Sequence, residues 1–143
     1  MRIYISGVFD LFHHGHMKLL KKCRETWKND ELLVGIHSDE SCESFKRLPI
    51  MNMKYRIQSI KEFGIYDEII ENAPIKETRE FYEKYNIDKV VHAHTLEEHE
   101  YYLKKCYQVA EDMGIFQRIE YTTGISTSEI IQIVLERFHK VIK

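Results

Sequence analysis

The sequence predicts an α/β fold: a doubly wound parallel sheet of about five strands with helices on both faces. Three observations carry that expectation. Short apolar runs at residues 2–6, 32–37, 67–71, 89–92 and 117–121 each give way to an amphipathic stretch, the alternation that builds parallel sheets through right-handed crossovers. The turn after the first run holds Gly7 and Gly15, which let backbone approach a ligand or a neighbouring element closely. Only two prolines occur, Pro49 and Pro74, both in expected turns, and no repeat, low-complexity tract or linker interrupts the pattern. The 143 residues are therefore expected to form one domain, 1–143, burying about two-thirds of the unfolded surface.

The elements follow in order. Residues 2–6 read as a buried strand, and Met17, Leu20, Cys23 and Trp27 recur at helical spacing after it. The intervening turn ends at a helix start, where free N–H groups and the positive end of the macrodipole suit a phosphate. His13 and His16 lie three apart there, so both imidazoles can project toward one point and stabilise charge growing on a phosphate. Residues 38–50 read as a polar loop able to close over a ligand, with Lys46 and Arg47 as its cations. Asn52 is placed to cap a helix whose apolar face is Met53, Ile57, Ile60 and Phe63.

A charged helix is expected over 76–85, then a strand running into His92, Ala93 and His94. Thr95 and Glu98 form a capping-box pattern that opens a helix over 96–113. Tyr101, Tyr102 and Tyr107 on it suit core packing or an aromatic wall. Ser126 and Glu129 repeat the box, with Ile130, Ile133, Val134 and Phe138 as the face to be buried. In doubly wound sheets ligands sit beyond the carboxyl ends of the strands, where all these motifs fall.

Composition excludes some classes. A formal net charge of −2 gives no basic excess for nucleic acid or a membrane surface. Cys23, Cys42 and Cys106 are odd in number and lack CxxC spacing, which points to a reducing, cytoplasmic location rather than a disulfide framework. No apolar run approaches membrane-spanning length, and a chain that opens in a strand leaves no leader to expect. A second chemistry, a metal held by imidazoles among His13, His14, His16, His92 and His94, is open on residue type alone.

Gly7-Val-Phe-Asp10-Leu-Phe-His13-His-Gly15-His16 resembles the GxFDxxHxGH signature of the cytidylyltransferase branch of the HxGH nucleotidyltransferases. Ordered matches support the resemblance: Ser38-Asp39-Glu40, Phe45-Lys46, Met51-Asn52 with Arg56, Asp67-Glu68, Asn72-Ala73-Pro74 and Gly124-Ile-Ser-Thr-Ser-Glu129. The choline-phosphate, ethanolamine-phosphate and glycerol-3-phosphate enzymes are the nearest in kind.

The resemblance implies a Rossmann-like domain that transfers a cytidylyl group from CTP to a small alcohol phosphate and releases pyrophosphate. It implies Mg²⁺ with the nucleotide and a homodimer with residues 64–69 near its seam. Carried over residue by residue, His13, His16 and Lys46 are catalytic. Gly7, Val8, Phe9, Asp10, Gly15, His92, Thr122, Gly124, Ile125, Ser126 and Thr127 bind nucleotide, and Asp10, Ala93, His94 and Tyr102 bind the acceptor. Gly64 and Tyr121 replace arginines of the pattern, with Arg47, Arg118 and Lys61 as candidate substitutes, while Ala93 and His94 stand where carboxylates are found. Two alternatives are a weakened nucleotide-binding or regulatory module and an ATP-using relative, the latter disfavoured by the Gly124–Glu129 and Asn72–Pro74 segments.

Overall fold

The computed structural model describes residues 1–139. Strands β1 (Arg2–Gly7), β2 (Glu31–Ile36), β3 (Glu68–Glu71), β4 (Lys89–Ala93) and β5 (Phe116–Ile119) form one parallel sheet in the order β3-β2-β1-β4-β5. Each lies within a residue or two of its expected run. Chain order reverses between β1 and β4, so a crevice opens beyond their carboxyl ends.

The strands are apolar on both sides because both faces are covered. Ile3 and Ile5 of β1, Leu32, Val34 and Ile36 of β2 and Val91 of β4 pack with Leu20 and Cys23 of α1 (His14–Thr26) and Ile57 and Ile60 of α3 (Met53–Phe63). The alternate residues Tyr4, Leu33 and Val90 face the other way, onto Tyr82 of α4 (Arg79–Lys84) and onto Cys106, Tyr107 and Ala110.

Three helical expectations change. Residues 38–50 contain a helix, α2 (Asp39–Phe45), because Ser38 Oγ accepts the Ser41 N–H at 3.1 Å and Asp39 and Glu40 follow in the first turn. The stretch is too short to reveal a period. Thr95 and Glu98 do make reciprocal hydrogen bonds. The helix, however, starts only at α5 (His99–Tyr102), passes through a π-helical turn (Leu103–Tyr107) and resumes as α6 (Gln108–Asp112). None of the residues of α7 (Thr127–Phe138) is buried; Ile133, Val134 and Phe138 are between 43% and 49% exposed. An apolar stripe sets which face a helix offers, and the sheet here gives α7 no bed for it.

Gly64 ends α3 in the left-handed region, φ 81°, with its N–H bonded to Ile60 O, a conformation that favours glycine over arginine.

Arg56, one of the ordered motif matches, is 0% exposed. Its guanidinium donates to Met51 O at 2.9 Å, Val8 O at 2.8 Å and Asp39 Oδ1 at 2.6 Å. Removing it leaves two carbonyls and a carboxylate without their donor. Arg56→Met is expected to lose about 3 kcal/mol of stability, read as a lower urea midpoint at unchanged slope.

Candidate active site

The loop after β1 bends sharply: Phe9 and Leu11 both have φ of 56°, a region costly for bulky side chains. Three contacts hold it there. Asp10 Oδ2 accepts the Ile50 N–H at 2.8 Å, Asp10 Oδ1 accepts the Met51 N–H at 2.9 Å, and Thr127 Oγ1 donates to Asp10 O at 2.8 Å. The β1 loop, the segment before α3 and the start of α7 are thereby tied together.

The loop delivers His13 as the N-cap of α1. Gly15 N–H donates to His13 Nδ1 at 3.1 Å and His13 N–H donates to His16 Nδ1 at 3.2 Å. With both Nδ1 atoms accepting, each neutral ring carries its proton on Nε2. The rings stack with centroids 3.8 Å apart, and His16 also lies against Phe9 and Phe12. Burial pushes His16 down to about 3, and burial beside His14 lowers His13. The pair is therefore neutral at physiological pH and acts as two N–H donors.

Gly15 is required by closeness. A Cβ there would lie 3.0 Å from the His13 ring and 3.1 Å from Ile125 Cγ2, so the start of α1 abuts the loop leading to α7. At that second helix start Ser126 Oγ accepts the Glu129 N–H at 3.1 Å and keeps its own proton free. The Thr127 hydroxyl proton is already committed to Asp10 O.

Both helix starts open on one cleft of about 310 Å³. Of the expected site residues, Gly7, Val8, Phe9, Asp10, His13, Gly15, His16, Lys46, His92, Ala93, Tyr102, Thr122, Ile125, Ser126 and Thr127 line it. His94 and Gly124 do not. Gly124, φ 91°, shapes the turn before Ser126, and His94, 1% exposed, sits behind His92. Lys46 follows α2 at the rim, and Arg47 Nη1 reaches Ser128 Oγ at 3.1 Å. Arg118 and Lys61 are not in the lining.

His37 and Cys106 also line the cleft and were not expected there, while Tyr107, open to core packing or an aromatic wall, lines it as well. His37 follows β2, so its position at a strand's carboxyl end was the available signal. Its Nδ1 donates to Ala73 O at 2.8 Å, which leaves Nε2 as an acceptor. The π turn that aims Tyr107 has no sequence period, so the choice between core and wall was not legible.

Among the described residues Asp10 is the one carboxylate in the lining, and each of its oxygens accepts a backbone N–H. Among the described residues no three His, Cys, Asp or Glu side chains are arranged to hold a metal. The donor set does not fit a protein cage for Mg²⁺. No helix of the described residues is long and apolar enough to cross a membrane.

The model of the cytidylyltransferase-like family matches residues 4–133. The chain belongs to that family. It is 36% identical to choline-phosphate cytidylyltransferase of Saccharomyces cerevisiae, covering 98% of this chain and 33% of that protein. It is 34% identical to ethanolamine-phosphate cytidylyltransferase of Dictyostelium discoideum, covering 92% of this chain and 36% of that protein. The chain thus spans about a third of the length of the curated relatives it matches. A solved structure, the lipopolysaccharide core biosynthesis protein from Thermoplasma volcanium, superposes with a TM-score of 0.62 at 25% identity over 85% of this chain and 98% of that one.

In this cytidylyltransferase-like chain the neutral histidines make stability depend on pH. His16 and His92 are lowered to about 3 and His94 to about 4 by burial, against about 6.5 when unfolded. The unfolded chain binds more protons below that value, so their contribution is complete above pH 6.5 and is lost as pH falls toward 3. The urea midpoint should drop between pH 7 and pH 5, by on the order of 1 kcal/mol per pH unit for each group. His16→Gln should flatten the slope.

Proposed function

We propose that this chain, as one nucleotidyltransferase domain over 1–143, transfers a cytidylyl group from CTP to a small alcohol phosphate and releases pyrophosphate. The observation that carries the reading is the meeting of two helix starts on one cleft, one offering the Nε2–H groups of His13 and His16, the other the Ser126 hydroxyl and the first N–H groups of α7. Family membership and the named relatives support CTP and a phosphorylated alcohol as reactants.

An oxygen of the acceptor phosphate attacks the α-phosphorus in line. A new P–O bond forms as the bond to the β-phosphate oxygen breaks, and the electron pair leaves with pyrophosphate. No enzyme nucleophile is needed. The work is positioning and charge stabilisation. His13 and His16 donate to the α-phosphate and to the departing oxygen, and as neutral donors they give up no proton. Lys46 and Arg47 supply positive charge at the rim, and α7 holds the phosphates by its amide end. Mg²⁺ would arrive with the triphosphate, where it would supply charge neutralisation.

One observation favours a second reading, a nucleotide-binding module with little turnover. Tyr121, which stands where the family pattern has an arginine, lines the cleft. Losing a hydrogen bond to a charged group costs about 1.5–3 kcal/mol, roughly one to two powers of ten in rate. That is a slower enzyme rather than a dead one. Calorimetric binding of CTP without pyrophosphate release from any acceptor would establish the module.

A cytoplasmic homodimer belongs to the same proposal. The expected seam, residues 64–69, runs into β3 at the sheet's edge, where backbone groups are open to a second copy. Light scattering should give twice the monomer mass, and a monomer mass would reject the dimer.

His16→Ala should keep the wild-type circular dichroism spectrum and lower kcat by about 10²–10³-fold. Wild-type turnover in that variant would remove the catalytic assignment of the pair. Pyrophosphate release screened with CTP and ATP against choline, ethanolamine and glycerol phosphates tests nucleotide and acceptor together.

A further inference from the structure

Three imidazoles form an unbroken chain behind the β4 wall of the cleft. His92 Nδ1 lies 2.8 Å from His94 Nδ1, and His94 Nε2 lies 2.8 Å from His99 Nδ1. His92 lines the cleft, and its Nε2 has no hydrogen-bond partner among the described residues. His94 is 1% exposed and His99 is half-buried near the surface.

A neutral imidazole has one N–H, and each hydrogen bond takes one proton. His94 is bonded at both nitrogens, so it must donate to one neighbour and accept from the other. The neutral chain then has two arrangements. In one, His99 donates to His94 and His94 to His92, so His92 Nε2 bears a proton toward the cleft. In the other, every bond is reversed and His92 Nε2 is bare. An arrangement with both His94 nitrogens protonated would bury a charge, which burial beside His99 and Arg118 opposes, outweighing Glu98.

The surroundings leave hydrogen bonding as the wall's means of recognition. Facing the chain are His37, Tyr107 and Tyr102 around His92, with Arg118 and Glu98 beside His94. The rings of Tyr102 and Tyr107 lie 4.6 Å and 5.0 Å from the His92 ring, so His92 itself occupies the space an aromatic cage would give a cation. Each Asp10 oxygen is already engaged by a backbone N–H of the segment before α3, and Glu77, behind Ser6, is pushed up to about 8 by burial and carries no charge at pH 7. An ammonium placed against the His92 ring would meet neutral imidazole and phenol rings, with no carboxylate hydrogen-bonded to that ring.

We propose that His94 and His99, neither of which lines the cleft, are positioning residues that switch His92 Nε2 between donor and acceptor, and that this wall reads an uncharged, hydroxyl-bearing headgroup: a polyol phosphate. The substrate class rests on the transferase reading; the imidazole chain does not. A hydroxyl both gives and takes a hydrogen bond, so it fits either arrangement, whereas a trimethylammonium group has no N–H to offer. Moving between arrangements takes one proton in at His99 Nε2 and one out at His92 Nε2, or the reverse, with no net change.

Pyrophosphate release from CTP, measured with glycerol, ethanolamine and choline phosphates on the full chain, should give kcat/KM at least tenfold higher for glycerol phosphate than for choline phosphate. His99→Phe, which keeps a stacked ring but no nitrogen, should raise KM for glycerol phosphate about tenfold with little change in kcat. His99→Gln, whose amide can donate or accept, should restore it. Equal or better use of choline phosphate, or a His99→Phe variant like wild type, overturns the proposal. Pyrophosphate from none of the three acceptors overturns the transferase reading and the polyol assignment with it. The chain is then decided by imidazole ¹⁵N spectra. These should show neutral rings at His92, His94 and His99, with the His99 shifts averaged between the two tautomers; a single tautomer or a charged ring at His99 overturns the switch.

Discussion

A buried guanidinium holds this site together. Arg56 is out of water, and a charge so placed persists only where its donors are matched. Its partners are the backbone of the β1 loop at Val8, the segment before α3 at Met51, and Asp39 at the start of α2. Asp10 binds two of the same three segments from the other side and adds α7. The two charged residues do not touch the chemistry; they fix the loops that do. The left-handed backbone at Phe9 and Leu11 is affordable because those contacts over-determine it.

Held in that way, the paired imidazoles are set by backbone rather than by side-chain neighbours. Both Nδ1 atoms are consumed by N–H groups of the helix start, which fixes ring orientation and tautomer together. Positive charge in the cleft then comes from Lys46, Arg47 and two helix starts, with the histidines as directional donors. That division suits a phosphate in transit, since a fixed imidazolium would hold substrate and product alike.

Much of this was legible in the residues. Strand and helix alternation sets the sheet, and the faces of α1 and α3 follow from Leu20, Cys23, Ile57 and Ile60 at helical spacing. The two motif segments meet in one cleft because both precede helices at the carboxyl side of the sheet. What stayed hidden has a common cause: long-range pairing overrides a local pattern. Arg56 looks like any polar helix residue until Val8 and Asp39 arrive from elsewhere in the chain. Asp10 reads as a ligand group, and its oxygens go to Ile50 and Met51. His94 reads as a wall residue, whereas the pleat of β4 and the turn after it send it behind His92. The π turn and the exposed face of α7 depend on what lies beside each helix, which no period encodes.

The Arg47–Ser128 hydrogen bond crosses the mouth of the cleft from the segment after α2 to the first turn of α7. A nucleotide that engages either end competes with a partner already in place, so part of its intrinsic affinity goes into parting the two. The same bond re-forms as the product loosens. Such an internal competitor weakens both binding and retention, and tilts the balance toward turnover instead of storage.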